Sequence, residues 1–254
     1  MNVTLRDMVV LVTGAASGIG RAIAERVAAA RCTRLVLTDR DPRVAEVAGA
    51  LSAAHVIAEL ADTDAPRRIV AAAINAHGRV DGLVNAAGLT TRASVAEGSI
   101  ETWDRLYAVN ARAPTFLMQA VIANLLGRKA VGSIVNILSV NAYGGLPELG
   151  FYSGTKGALA TLTKNAANAH LAAGIRVNGI NLGWVATPAE HHVQSEVLGK
   201  GADWMAGAAP DLPLRRFIDA KEAARLALFL LSDASVPMTG ALVDFDQHVM
   251  GAPQ

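Results

Sequence analysis

The feature that most restricts the fold of this chain is a glycine-rich turn after its first apolar run. Val9–Val12 leads into the segment Thr13–Gly20, which reads Thr-Gly-Ala-Ala-Ser-Gly-Ile-Gly, and a stretch with helical spacing follows. Glycines allow a tight turn here and let the backbone approach a pyrophosphate, to which the next helix presents its N-terminal N–H groups. The segment therefore predicts a nucleotide-binding strand-turn-helix unit.

The alternation of strand and helix continues along the chain. Short β-branched apolar runs lack in/out alternation, as is typical of strands covered on both faces, and Ala-rich helical stretches follow them. We expect an α/β fold, a single-domain doubly wound Rossmann fold over residues 1–254, whose seven-stranded, mostly parallel sheet carries helices on both faces. The predicted strands are Met8–Val12, Leu35–Thr38, His55–Ala58, Gly82–Val84, Ser133–Ile137, Arg176–Ile180 and Ala241–Phe245. The predicted helices are Gly18–Arg31, Pro42–Ala53, Ala65–His77, Ile100–Leu126, Gly150–Ala173 and Ala220–Leu231.

One long connection breaks this rhythm. From Leu182 to Ile218 no strand pattern is visible, and three prolines interrupt the segment. Connections of this length inside a domain are usually functional, and this one leaves the carboxyl end of a predicted strand, where such sheets bind ligands. We expect a substrate lid at about residues 183–215. The alternatives are a surface insertion or a contact between subunits.

Composition excludes several classes of protein. The 23 Lys and Arg residues nearly balance the 22 Asp and Glu residues, and no basic block suggests a nucleic-acid partner. The apolar run Met8–Val12 is too short to span a membrane and lacks the flanks of a signal peptide. The one cysteine, Cys32, cannot form an internal disulfide. These observations predict a cytoplasmic protein that binds neither nucleic acid nor membrane.

The spacing Gly-x-x-x-Gly-x-Gly resembles that of the short-chain dehydrogenase/reductase family, and the resemblance covers nearly the whole chain. It implies a cofactor loop and further cofactor contacts after the third, fourth and sixth strands. Glu59 stands where the family usually has an Asp that touches the adenine, and Asn85–Gly88 looks like the family's Asn-x-Ala-Gly. The implied cofactor-binding residues are Gly14, Ser17, Gly18, Ile19, Gly20, Glu59, Leu60, Asn85, Ala86, Ala87, Gly88, Gly183, Val185 and Thr187.

The end of the second strand bears on which cofactor is used. A carboxylate at Asp39 can accept hydrogen bonds from both adenosine ribose hydroxyls and would repel a 2′-phosphate. The glycine turn also has no Lys or Arg to pair with such a phosphate. Both facts favour NAD over NADP. Arg40 is a complication because it could turn toward a phosphate, and Asp39 could instead cap the next helix.

The reaction type depends on Tyr152 and Lys156, which lie four residues apart and so share one face of a helix. An adjacent ammonium favours the phenolate, so we expect Lys156 to lower the phenol pKa from its free value of about 10. The family resemblance adds Ser139, which would hold the substrate oxygen, and Asn110, which would place a water in a proton relay. Without the resemblance, Ser139 would be interpreted as a serine that stabilises a turn and Asn110 as a buried polar contact.

This constellation implies hydride transfer between a secondary alcohol or ketone and NAD, with Tyr152 and Lys156 also touching the cofactor. Asn141, Glu190 and two adjacent histidines could bind hydroxyl groups, which suggests a polyol or sugar substrate, or they could be solvated lid residues. The full set of candidate substrate residues is Asn141, Leu146, Trp184, Glu190, His191, His192 and Trp204. One alternative is a 3-oxoacyl-carrier-protein or other carbonyl reductase that uses NADPH. Another is a catalytically silent NAD-binding regulatory protein. No residue cluster has the spacing of a metal site, so we expect no catalytic metal. The predicted helices Ile100–Leu126 and Gly150–Ala173 are rich in Ala and Leu, and the family resemblance implies that such helices pack subunits into a homotetramer; the alternative is an intramolecular core.

Overall fold

The computed structural model describes residues 3–251. Seven strands form one sheet in the order β3-β2-β1-β4-β5-β6-β9, and every neighbouring pair is parallel. A separate pair, β7 and β8, is also parallel. The strands are β1 (Val9–Thr13), β2 (Arg34–Asp39), β3 (Ala54–Ile57), β4 (Gly82–Asn85), β5 (Gly132–Ile137), β6 (Ile175–Leu182), β7 (Val185–Ala186), β8 (Ile218–Asp219) and β9 (Leu242–Phe245). The predicted seven-stranded sheet is confirmed.

Helices cover both faces of this sheet. The helices are α1 (Gly18–Ala29), α2 (Val44–Leu51), α3 (Ala65–His77), α4 (Ile100–Tyr107), α5 (Ala113–Gly127), α6 (Gly150–His170), α7 (Pro188–His192), α8 (Trp204–Ala208) and α9 (Ala220–Leu231). In β1, Val10 and Val12 pack in a cluster with α1, α2 and α9, while Leu11 packs in a second cluster with α3, α5 and α6. Because successive strand residues point to opposite faces, a strand buried on both sides reads as one continuous apolar run.

Most predicted ends lie within three residues of the observed ones, but two predicted segments differ in content. The helix predicted at Ile100–Leu126 is divided by a π-helical turn, Ala108–Arg112, between α4 and α5. One wide turn leaves the apolar spacing of the sequence nearly helical, so the pattern does not reveal it. The connection from Leu182 to Ile218, predicted to hold no strand, contains the two-residue strand β7. Two residues are too few to show a period.

The connection after β6 also contains helical segments. Helix α7 begins at Pro188 and has Thr187 as its N-cap, with the Thr187 side chain accepting from Glu190 N. A π-helical turn, Val193–Val197, continues directly from α7. Helix α7 packs against β7 of the separate strand pair. Among the described residues, no helix is long and apolar enough to cross a membrane.

Candidate active site

A cleft of about 950 Å³ lies at the carboxyl ends of the parallel strands. It is centred on β1 and β4, which are adjacent in the sheet although their connections run in opposite directions. In doubly wound sheets this switch in strand order opens a crevice in which ligands bind. The glycine turn, Asp39 and Tyr152 all line this cleft.

The glycine turn has the shape that a pyrophosphate requires. Gly14 has φ +69°, and a Cβ on it would lie 2.8 Å from the Ala87 backbone, so no side chain fits there. Gly18 has φ +56° and sits next to the Thr187 side chain. The Ser17 side chain does not cap α1. The first N–H groups of α1 are therefore left for a ligand, and this end of the cleft fits a dinucleotide.

Asp39 is held beside this turn by two backbone donors. Its Oδ2 accepts from Ala16 N at 3.0 Å and its Oδ1 accepts from Asp41 N at 3.0 Å. The residue before α2 is Arg43 rather than Asp39, so the alternative that Asp39 caps that helix is wrong. The carboxylate instead ties the end of β2 to the glycine turn and lines the cleft.

Glu59 is already engaged by cations where the resemblance implies an adenine contact. Its Oε2 lies 2.6 Å from Arg105 Nη2 and 3.6 Å from Arg40 Nη1, and its Oε1 accepts from Ala61 N. Burial raises the pKa of Glu59, but the hydrogen bonds from Ala61 and Arg105 outweigh it, and the pKa lies below its usual value. Arg40 therefore has Glu59 as its anionic partner.

Asn85 does not reach the cleft, which corrects its assignment as a cofactor contact. It is buried, and its Nδ2 donates to Asn136 Oδ1 on the neighbouring strand. The residues after it do line the cleft, and Thr13 Oγ1 accepts from both Ala86 N and Ala87 N at 3.1 Å. The sequence pattern alone does not show which of these residues faces the cleft, because consecutive residues of a strand point to opposite faces. The remaining cofactor candidates all line the cleft.

Tyr152, Lys156 and Ser139 meet on one buried wall of the cleft. Lys156 Nζ lies 5.8 Å from the centre of the Tyr152 ring and donates to Ile137 O at 2.8 Å. Ser139 Oγ accepts from Asn141 N and Nδ2, each at 3.2 Å, and its hydroxyl acts on the Tyr152 phenol. The helical spacing brings the phenol and the ammonium together, and the segment after β5 adds the hydroxyl.

The electrostatics of this wall differ from the sequence-based prediction. Burial raises the pKa of Tyr152 to about 12; the Ser139 hydroxyl opposes the shift and the Glu190 carboxylate adds to it. Burial lowers the pKa of Lys156 to about 8. The pKa of Tyr152 thus lies above its free value rather than below it as expected, because burial outweighs the groups that favour the phenolate. The Lys156 ammonium donates a hydrogen bond to the backbone carbonyl of Ile137, and desolvation is the largest influence on the pKa of both side chains.

Asn110 lies behind this wall rather than in the cleft. It is fully buried in the π-helical turn, where its Oδ1 accepts from Leu89 N and its Nδ2 donates to Leu89 O and Thr155 Oγ1. A Cβ on Gly88 would lie 3.5 Å from Asn110 Oδ1 and 3.6 Å from Lys156 Nζ. The side chain therefore ties the loop after β4 to α6 next to the lysine. Its role in a proton relay stays a prediction.

The other side of the cleft is built from the connection after β6. Trp184 and Glu190 of this connection line the cleft together with Asn141 and Leu146, which lie between β5 and α6, and all four were predicted as substrate residues. His191 and His192 do not line it, because His191 accepts from the Trp204 indole and His192 pairs with Glu196. The Trp204 ring is buried and packs on Trp184 with centroids 5.6 Å apart. His191, His192 and Trp204 therefore do not form part of the cleft surface.

Sequence reasoning missed Gln194, which lines the cleft and is only 2% exposed. It follows Glu190 by four residues, a spacing that brings two side chains together on a helix, and this was the available signal. Among residues 3–251, no group of three or more His, Cys, Asp and Glu side chains is arranged to hold a metal ion.

The fold and this cleft define a nicotinamide-dependent oxidoreductase, and comparison with known proteins places it in a family. The family model described as "Enoyl-(Acyl carrier protein) reductase" matches residues 14–247. L-xylulose reductase of Bos taurus is 36% identical over 251 residues, covering 97% of this chain and 98% of that protein. The chain belongs to the short-chain dehydrogenase/reductase family, as an NAD(P)-dependent dehydrogenase acting on alcohol and ketone groups.

Two further relatives mark the range of substrates in this family. The 3-oxoacyl-[acyl-carrier-protein] reductase FabG of Thermotoga maritima is 32% identical over 247 residues, covering 95% of this chain and 97% of that protein. The crystal structure of L-sorbose reductase from Gluconobacter frateurii, complexed with NADPH and L-sorbose, superposes with a TM-score of 0.92. It shares 27% identity, and the alignment covers 100% of both chains.

Proposed function

We propose that this protein is an NAD-dependent oxidoreductase that interconverts a secondary alcohol and a ketone on a small polar substrate such as a polyol or sugar. The observation that carries the proposal is the buried wall on which Tyr152, Ser139 and Lys156 meet, facing the glycine turn across one cleft. The sugar reductases among its relatives and the polar side chains of Glu190 and Asn141 in the cleft support the substrate class.

Each residue of this wall has a distinct task in the proposed mechanism. A bound nicotinamide supplies or accepts the hydride. The Ser139 hydroxyl donates to the substrate oxygen and holds it against the Tyr152 phenol. Tyr152 gives its proton to that oxygen during ketone reduction and takes it back during alcohol oxidation. Lys156 holds the nicotinamide ribose and places positive charge beside the phenol, while the segment over residues 183–215 acts as a lid that excludes water.

The proposed role of Tyr152 predicts different pH dependences for the two directions. Because burial raises the pKa of Tyr152 to about 12, the phenol is protonated at neutral pH and ready to donate. Ketone reduction should therefore stay nearly constant between about pH 6 and 7.5, below the pKa of Lys156 at about 8, whereas kcat/KM for alcohol oxidation should rise by up to about tenfold per pH unit over this range. Initial rates in both directions across this range measure it. An oxidation rate that falls as the pH rises would contradict the role.

The preference for NAD rests on Asp39, whose carboxylate is held at the cleft rim by Ala16 N and Asp41 N. We expect Asp39→Ala to lower the ratio of kcat/KM with NAD to that with NADP on the order of 100-fold, because hydrogen bonds to the ribose and repulsion of a 2′-phosphate are both lost. Asp64→Ala removes an exposed carboxylate that pairs with Arg67 outside the cleft and is the matched control. An unchanged ratio in Asp39→Ala would overturn the assignment.

The proposed reaction is tested by a substrate panel followed through NADH absorbance. The panel contains polyols, ketoses, hydroxy acids and simple secondary alcohols, and a 3-oxoacyl thioester with NADPH. Turnover of polyols or ketoses with NAD or NADH supports the proposal. A higher kcat/KM for the thioester with NADPH would favour a carrier-protein reductase instead, and cofactor binding without turnover on any substrate would favour a silent regulatory protein.

We propose a homotetramer for the assembled protein. Helix α5 exposes Phe116 and Leu126, and a mainly apolar groove of about 370 Å³ between α5 and α6 is lined by Met118, Ile122 and Leu162. Exposed apolar surface of this kind marks a contact between proteins. The mass in solution, measured by light scattering, tests it. We propose a cytoplasmic location because the single cysteine, Cys32, is buried and free.

A further inference from the structure

Three lid side chains form a hydrogen-bonded cluster on the substrate side of the cleft. The Trp184 indole Nε1 donates to Glu190 Oε1 at 2.8 Å, and Gln194 Nε2 donates to the same oxygen at 2.7 Å. All three residues line the cleft. Trp184 is fixed from behind because its ring packs against Trp204 and Phe217. The cluster therefore presents a rigid polar surface to whatever enters the cleft.

The orientation of the Gln194 amide follows from this chemistry. A carboxylate oxygen only accepts hydrogen bonds, so the NH₂ group of the amide must face Glu190. The amide oxygen, Gln194 Oε1, consequently points away from Glu190. It is buried and has no partner among the described residues. An unpaired buried acceptor is unfavourable, so a hydrogen-bond donor on a ligand in the cleft would stabilise this atom.

The charge on this side of the cleft further restricts the ligand. Glu190 adds a negative charge, and its influence extends to the Tyr152 phenol. Of the cations lining the cleft, Lys156 lies on the wall with Tyr152, Arg92 is paired with Glu148 at 2.7 Å, and Arg40 lies beside Glu59. Lys200 also lines the cleft but is exposed to solvent. A second carboxylate close to Glu190 would be repelled, whereas a hydroxyl would be bound.

We infer that Gln194 Oε1 and the Glu190 carboxylate form a hydroxyl-binding subsite that selects neutral polyhydroxylated substrates over sugar acids and simple alcohols. The subsite receives a hydroxyl group away from the carbon that exchanges hydride with the cofactor. This inference rests on the proposed function and specifies its substrate class. Gln194 is a specificity-determining residue here, since it supplies the acceptor and Glu190 both orients it and excludes anions.

The Gln194 acceptor is tested with Gln194→Met, which keeps the length of the side chain and removes both polar atoms. The experiment compares kcat/KM for a hexitol with that for a simple secondary alcohol such as 2-butanol, using the full-length protein and NAD. We expect the hexitol-to-butanol ratio to fall on the order of 100-fold, because a site built for a hydroxyl discriminates strongly against its loss. An equal loss on both substrates would overturn the inference and leave Gln194 a structural support of the lid.

The Glu190 charge is tested with Glu190→Gln against an aldonate and the matching alditol. We expect the ratio of kcat/KM for the aldonate to that for the alditol to rise about tenfold, because the like-charge repulsion is removed. Glu196→Gln is the matched control because it makes the same charge change on the same lid segment. Glu196 is exposed and lies outside the cleft. A ratio that rises equally in both variants, or in neither, would contradict the inference.

A binding measurement separates this inference from the proposed function. The hexitol is titrated calorimetrically into Tyr152→Phe loaded with NAD⁺, in which turnover is suppressed, with and without Gln194→Met. Weaker hexitol binding in the double variant supports the subsite, and equal binding overturns it. Should the wild-type protein oxidise 2-butanol as well as the hexitol, the subsite is wrong while the proposed oxidoreductase stands. A wild-type protein that oxidises no alcohol would refute the proposed function itself.

Discussion

Replacing Tyr152 by Phe should lower turnover by about 10³-fold while NAD binding is retained. The change removes one hydroxyl from a buried ring and leaves its packing in place. The phenol is the group we propose to exchange a proton with the substrate oxygen, and positioned acid/base groups typically contribute 10²- to 10⁴-fold, which sets this estimate at about the middle of that range. Steady-state rates and the dissociation constant for NADH, from fluorescence titration, measure the two effects separately.

Tyr107→Phe is the matched control for this change. Tyr107 is half-buried, stacks on Trp103 with ring centroids 4.3 Å apart, and does not line the cleft. Removing its hydroxyl should leave turnover near the wild-type value. The pH dependence of alcohol oxidation should also disappear from whatever activity remains in Tyr152→Phe. Turnover in that variant within a few-fold of the wild type would refute the acid/base role.

Replacing Lys156 by Met should affect both turnover and cofactor affinity. Lys156 is buried against Tyr152 and donates to Ile137 O, and Met fills a similar volume without the charge. We expect turnover to fall on the order of 10²-fold or more, because the phenolate formed in catalysis loses its cation. We also expect weaker NADH binding, because the proposed contact with the nicotinamide ribose is lost. The second effect distinguishes this variant from Tyr152→Phe.

The control for Lys156 lies on the same helix. Lys164 is exposed on α6, two turns further on, and does not line the cleft. Lys164→Met should leave turnover and NADH affinity unchanged. Since burial already lowers the pKa of Lys156 to about 8, removing the charge from this position should not reduce the melting temperature strongly. A large loss of thermal stability in Lys156→Met with normal affinity for NADH would argue for a structural role instead.

Local patterns account for the parts of the fold and site that sequence reasoning found. The glycine turn needs positive φ at Gly14 and Gly18, and that requirement is visible as residue type. The spacing of Tyr152 and Lys156 places both on one face of a helix wherever that helix packs. Asp39 is the last residue of its strand, so its place at the carboxyl edge of the sheet follows from its position in the chain.

Predictions failed where the outcome depends on contacts between distant segments. Nothing near Asn85 in the chain shows that its side chain pairs with Asn136 on β5 instead of entering the cleft. Asn110 lies in a wide helical turn that the apolar pattern does not reveal. His191 turns to Trp204, thirteen residues away, whereas Gln194 of the same segment lines the cleft.

The sequence by itself determined the doubly wound sheet, the glycine turn and the pairing of Tyr152 with Lys156, because each depends on residues close together in the chain. The tertiary structure decided which side chains enter the cleft and which direction their pKa values move. Burial of Tyr152 and Lys156 raises one pKa and lowers the other, and that burial arises only when the strands, α6 and the segment after β6 pack together. Desolvation is a property of the assembled protein, so no local pattern predicts it.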